Sequence, residues 1–263
     1  MASSFWNGEF YWNGIHSSTY EVCIVDFDDN SILKQSILSH NVELSEEMSI
    51  NGKKWFAETN RSADNIVIQL CKTNGSAWTN GDFINLNRWF FTKNFCKFQT
   101  LDYEDGALNV VYYLKAVRFS KFVNNNFHGY VEIEFQSYDA FAYVIPTINY
   151  TISNGEIKNV VSYSNVYIPY KPKLQVTNYG STSTKISIQN TSMNKSALEI
   201  QGLTANEVIT IDCQLGTVLN KNGQNRFEVL QNYNFIEMQN GDNRIKVTGN
   251  ASVLVLCEFP VII

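Results

Sequence analysis

Residues 10–27 read FYWNGIHSSTYEVCIVDF: four apolar residues, Phe10, Tyr11, Trp12 and Ile15, set around an Asn13-Gly14 pair. Both residues of that pair tolerate positive φ, so Asn-Gly suits the two-residue type I′ loop whose twist matches a β-hairpin. The dipeptide recurs. Eight of the 14 glycines directly follow an asparagine, and Asp105-Gly106 adds a related turn. The stretches between such turns alternate apolar and polar residues, as in GYVEIEF (129–135), KISIQN (185–190), VITIDC (208–213) and RIKVTG (244–249). Alternation with period two places one face in a core and the other in water. The spacing predicts an all-β chain built of sandwiches.

One segment departs from this rhythm. In DFINLNRWFFTKNF (82–95) the residues Phe83, Leu86, Trp89 and Phe90 recur at three- and four-residue intervals. Asp82 is the expected N-cap and Lys93 lies near the end that favours cations. A helix of about three turns, packed across a sheet, is predicted. A composition change follows near SYDAFAYVIPT: all five tryptophans precede it, and Ser, Thr and Asn increase after it. The boundary is expected between residues 138 and 146, giving domains 1–140 and 141–263. SVLVLCEFPVII ends the chain; Val253 to Cys257 should complete the second sandwich. Pairing should change or stop at Pro260, which has no N–H for a ladder. The last residues, Val261 to Ile263, are expected to return to the first domain or to meet a neighbour.

Composition excludes several functions. The net charge of −5 argues against a dedicated nucleic-acid binder. The apolar residues at the start are interrupted by polar ones and have no basic residue before Lys34, unlike a secretory signal. No run approaches the ~20 apolar residues of a membrane span, so neither export by that route nor membrane insertion is expected. Five widely spaced cysteines without a CxxC pair read as free thiols. The three histidines are far apart, and no GxSxG, HExxH, P-loop or GxGxxG occurs. Catalytic, metal-binding and cofactor-binding residues are therefore assigned to none.

The order of elements is more informative than any one motif. WNGIHSSTY near the N-terminus, the helix carrying Trp89, KFQTLDYEDGALNVVYYLKAVRF and then GYVEIEFQSYDAFAY succeed one another. This order resembles the distal tail protein family of long-tailed bacteriophages, of siphovirus type, in which a short "NGi.S..y" opening is typical. Ala140 and Phe141 stand where that family often has Pro-Tyr. Residues 198–249 resemble its galectin-like domain, with Gly241, Asn243, Ile245 and Gly249 matching the late "G.N.i...G" signature. The resemblance covers essentially the whole chain and implies an N-terminal belt domain that forms a homohexameric ring, followed by a galectin-like β-sandwich.

It also implies a structural hub of the tail tip or baseplate, with no enzyme activity. The ring would join the tail tube protein to the tail-tip protein and hold receptor-binding protein. DNA would pass through it without specific binding, and assembly would occur in the host bacterial cytoplasm before the virion is complete. Tail-like bacteriocins use related parts. On this reading Phe10, Trp12, Asn13, Gly14 and Ile15 are candidates for the ring interface; the alternative is that Phe10, Trp12 and Ile15 pack inside their own sandwich. A rival function is a carbohydrate-binding module or lectin for host-surface recognition, with Tyr163, Tyr167, Tyr170 and Tyr179 as sugar-stacking candidates. A tail-associated hydrolase is a second rival, for which no nucleophile or metal site is apparent.

Overall fold

Asn13 and Gly14 both have positive φ, 49° and 78°, as the two central residues of a type I′ loop require. They join β1 (Phe10–Trp12) to β2 (Ile15–His16), with Trp12 opposite Ile15 and Tyr11 opposite His16. A 3₁₀ turn at Ser17–Tyr20 then leads into β3 (Val22–Val25). The computed structural model describes residues 8–25, 40–48, 54–63, 65–100, 110–138, 140–146, 148 and 150–262, with the backbone alone over 40–48 and 54–63. Asp105-Gly106 and Gly52 lie outside the described residues. The chain divides into two units, Met1–Ala142 and Tyr143–Ile262.

In the first unit β4 (His40–Met48) and β5 (Lys54–Ala63) pair as a ribbon, and β6 (Ile66–Lys72) leads to α1 (Asn80–Phe90). Next come β7 (Cys96–Thr100), β8 (Val110–Val123) and β9 (Gly129–Ser137). Seven of these strands form one antiparallel sheet in the order β2-β1-β7-β8-β9-β6-β3. The sheet turns back on itself, because Ile24 in the last strand donates its N–H to the carbonyl of Gly8 at 2.7 Å, just ahead of β1. Gly8 is required there: a Cβ on it would lie 2.5 Å from the Ile24 carbonyl oxygen.

The helix begins earlier than the sequence suggests and ends earlier. Thr79, not Asp82, is the N-cap: its side chain accepts the Asp82 N–H, and the Asp82 carboxylate accepts the Thr79 N–H. This reciprocal capping box satisfies two donors that an N-terminus otherwise leaves free. Asn80-Gly81 therefore lies within the first turn and makes no hairpin. Phe91 leaves helical geometry, and Lys93 lies beyond the end. Phe83, Leu86, Trp89 and Phe90 are buried, as their spacing predicts.

The short strand β10 (Ala142–Val144) straddles the division, and the second unit continues with β11 (Tyr150–Ser153), β12 (Ile157–Ser162) and β13 (Lys173–Asn178). Next are β14 (Ile186–Asn190), β15 (Leu198–Ile200), β16 (Val208–Asp212) and β17 (Thr217–Asn220). It closes with β18 (Gly241–Thr248), β19 (Ala251–Leu256) and β20 (Phe259–Val261). Two sheets, β11-β19-β13-β16-β17 and β12-β18-β14-β15, make the sandwich. The strands alternate buried and outward residues: Ile186, Ile188 and Asn190 point in, as do Asn243, Ile245 and Val247. The strand expected at Val253 to Cys257 is central, paired with β11 on one side and β13 on the other. At Pro260 pairing changes partner, and β20 pairs with β10. Val261 is buried, and Asn165 holds Ile262 through bonds to both its N–H and its carbonyl, each at 2.7 Å.

Candidate assembly surfaces

The opening hairpin is split between interior and surface by strand alternation. Phe10 and Trp12 have no exposed area. Phe10 lies 5.6 Å from the rings of both Trp89 and Phe98, and Trp12 lies 5.1 Å from Phe135. The Trp12 indole donates to the Trp89 carbonyl at 2.9 Å, so its one polar group is satisfied inside. These two residues are core of their own unit, and a surface role for their side chains is ruled out by burial. Asn13, Gly14 and Ile15 are exposed, and open space surrounds the position a Gly14 Cβ would take.

Two other features of the first unit stand apart from its aromatic core in different ways. The β4–β5 ribbon runs from His40 opposite Ala63 to Met48 opposite Lys54 and pairs with no third strand among the described residues. The second feature is the outer side of α1, where Asn80, Phe83, Ile84, Asn87 and Arg88 with Lys121 of β8 line an open groove of about 580 Å³. Ile84 is 52% exposed there, and Lys121 Nζ sits 3.9 Å from the centre of the Phe83 ring. No acid lines the groove. At the start of the helix, Asp82 is 3.0 Å from Lys72 Nζ. Burial favours its neutral form, but hydrogen bonds from Lys72 and Thr79 outweigh that and hold the carboxyl below the usual range.

The four tyrosines do not form one platform. Tyr170 packs edge-on against Phe259 at 5.1 Å and accepts the Glu258 N–H at 2.8 Å; burial pushes its phenol up from the ordinary value. Tyr163 meets the same ring at 5.9 Å but remains partly exposed, and Tyr167 is exposed on the loop between them. Tyr179 is exposed at the other end of β13, about 20 Å of strand away. Among the described residues no group of three or more His, Cys, Asp or Glu is placed to hold a metal ion. No helix among them is long and apolar enough to cross a membrane.

The sequence matches two family models in tandem: a phage tail protein N-terminal domain over residues 6–138 and a phage tail C-terminal domain over residues 141–257. Together they span nearly the whole chain. The chain belongs to this phage tail protein family. No curated protein sequence matches it significantly. Among solved structures, this phage tail protein is similar to the SPP1 Dit protein (gp 19.1), described as a paradigm of the hub adsorption apparatus in phages infecting Gram-positive bacteria. That likeness has a TM-score of 0.62 at 14% identity, covering 95% of this chain and 98% of the other. Chains of the phage P2 baseplate in its activated conformation with Ca (TM-score 0.52, 11% identity, 89% and 90% covered) and of the phage p2 baseplate in its activated conformation with Sr (0.56, 11%, 94% and 97%) are also similar. These likenesses establish the two-part β fold of this tail protein.

The surface that sequence reasoning missed is the groove on α1. Its signal was present: Ile84 and Arg88, four residues apart, stand off the buried stripe of the helix. An exposed isoleucine on a short helix is too common to mark a surface by itself.

Proposed function

We propose that this phage tail protein is the structural hub of a tail tip or baseplate, acting as a homohexameric ring. Its first unit is the belt of the ring, between the tail tube protein and the tail-tip protein, and its second unit carries receptor-binding components outside. DNA passes through the lumen without specific binding, and the ring assembles in the host cytoplasm before joining the virion. The observation that carries this reading is that both halves match phage tail families in tandem, over a fold shared end to end with a hub protein. The negative net charge supports it, since an acidic lumen repels phosphate. Native mass spectrometry tests the ring: six copies of the 30.0 kDa chain give a species of about 180 kDa. A monomer at all concentrations would overturn the ring. The exposed turn Asn13–Ile15 remains a candidate contact between copies. The lectin reading has less support, because the four tyrosines are divided between opposite ends of the sandwich.

A further inference from the structure

Two of the five cysteines lie directly opposite each other in the first unit. The register of β3 and β6 pairs Cys23 with Cys71, between Val22 opposite Lys72 and Ile24 opposite Leu70. Opposite residues share one face of a sheet. Val22 and Leu70 have no exposed area on the inner face, so the two cysteines stand on the other face, where both are half-buried and free. The Thr73 N–H donates to the Glu21 carbonyl at 2.9 Å. Hydrogen-bonded pairs recur at every second residue of an antiparallel ladder, so Cys23 and Cys71 are such a pair. Their Cα atoms are then about 5.5 Å apart, inside the roughly 4.4–6.8 Å that a disulfide spans. Their Cβ atoms, at roughly 4.5–5.5 Å, need to approach by about 1 Å.

Gly8 brings no side chain over this pair, since a Cβ there would lie 3.1 Å from the Cys23 Cβ. The Cys71 S–H donates to the Gly129 carbonyl at 3.6 Å, and rotation about its Cα–Cβ bond turns the sulfur to Cys23. Burial and then Glu9 push the Cys23 thiol up from 9.0; burial and then Cys23 do the same to Cys71. Both are therefore protonated at neutral pH and exchange slowly. We propose that Cys23 and Cys71 close into a disulfide that fastens β3 to β6 when the folded protein meets a small-molecule disulfide. The thiolate of one cysteine attacks that oxidant, forming a mixed disulfide and releasing one small thiolate. The other cysteine then attacks the protein sulfur of the mixed disulfide and expels the second. Two protein thiols are oxidised, and their protons end on the two small thiols released. The bond closes the chain between residues 23 and 71, and long closed loops constrain the unfolded state most. The inference rests on the tail reading only for its setting, a protein made in a reducing cell and carried outside it.

Oxidised glutathione at about pH 8 tests this on the full chain, prepared reduced. Because Cys96, Cys213 and Cys257 are buried, thiols counted in denaturant are expected to fall from five to three. Non-reducing peptide mapping is expected to find Cys23 joined to Cys71. The melting temperature of the first unit should rise by roughly 5 °C or more and fall back on reduction. C23S/C71S, nearly unchanged in size, is expected to melt as the reduced parent does and to ignore the oxidant. Five thiols after prolonged exposure, stable glutathione adducts in place of the bond, or a bond between other cysteines would overturn the pairing. A Cys23–Cys71 bond that leaves melting unchanged would overturn the fastening. These readouts do not depend on assembly, so a chain that forms no rings loses the hub reading and keeps this one.

Discussion

Trp12 ties three parts of the first unit together. It fills the interior against Phe90 and Phe135 and donates its indole proton to the Trp89 carbonyl, which joins the first strand to the end of the helix. Trp12→Ala is expected to cost about 3–5 kcal/mol, seen as a lower denaturant midpoint for the first unit. Burial separates the cysteines just as sharply. In the second unit it pushes the Cys213 and Cys257 thiols up to about 12 from an ordinary 9.0. The unfolded chain ionises first as pH rises, so the stability these thiols contribute is whole below about pH 9 and is lost from there to about 12. Denaturation of the second unit at pH 8 and pH 11 should show that loss, and C213A/C257A should reduce it, leaving the part due to the buried Tyr170 phenol; an unchanged pH dependence in the variant would refute this account. Single residues were legible where one physical demand fixes the type. Asn243, picked out in the G.N.i...G signature, has no exposed area and uses its amide fully: it accepts from Gln239 N–H and Asn190, and donates to the carbonyls of Gln239 and Gly241. The fate of Phe10 and Trp12 was not legible, because alternation says that two faces exist and not which one is inside.

At the scale of elements, the strands follow from the two-residue period and the helix from its buried stripe. Helix bounds required more than the stripe. Asp82 read as a cap by residue type, but Thr79 three residues earlier makes the reciprocal pair, and only geometry distinguishes a cap from the third residue of a capping box. Thr79→Ala is expected to cost about 1 kcal/mol, measured by equilibrium unfolding. Because Asp82 is held below its ordinary value, its stabilising effect is present above about pH 3.8 and fades as pH falls further; Asp82→Asn should therefore lose stability at pH 7 and much less at pH 3. An Asn-Gly pair does not by itself make a hairpin. The pair at 13–14 makes one, whereas Asn154-Gly155 joins β11 to β12, which belong to opposite sheets of the sandwich. A turn signal fixes where the chain reverses; hydrogen-bond partners further along decide whether it stays in one sheet. The same distinction separates two glycines of the opening stretch. Gly14→Ala meets open space and bears only the strain of its φ, about 1–2 kcal/mol. Gly8→Ala adds a collision with the Ile24 carbonyl where the sheet closes, so thermal melts should rank Gly8→Ala well below Gly14→Ala.

The two units differ in how much they depend on the start of the chain, and that decides what its removal does. In the first unit β1 pairs with both β2 and β7, places Phe10 and Trp12 in the aromatic core, and stands two residues from the glycine that meets β3. Deleting residues 1–18 removes all of this together. It leaves the Trp89, Phe90 and Phe98 rings without their central partners and opens β7 as a new edge. The second unit takes none of its strands from this region, and its core residues Ile152, Leu174, Ile188, Ile211, Ile245 and Val253 are wholly or almost wholly buried within it. A domain with its own core can fold alone. The truncated chain is therefore expected to lose the cooperative unfolding of the first unit and any ring with it, while the second unit melts as in the parent. Limited proteolysis should reduce it to a resistant fragment beginning near Tyr143, and calorimetry should show one transition where the parent shows two. A truncated chain that keeps both transitions but no longer forms rings would mean that the first hairpin serves assembly rather than the core, and the aromatic contacts of Phe10 and Trp12 would then be dispensable for folding.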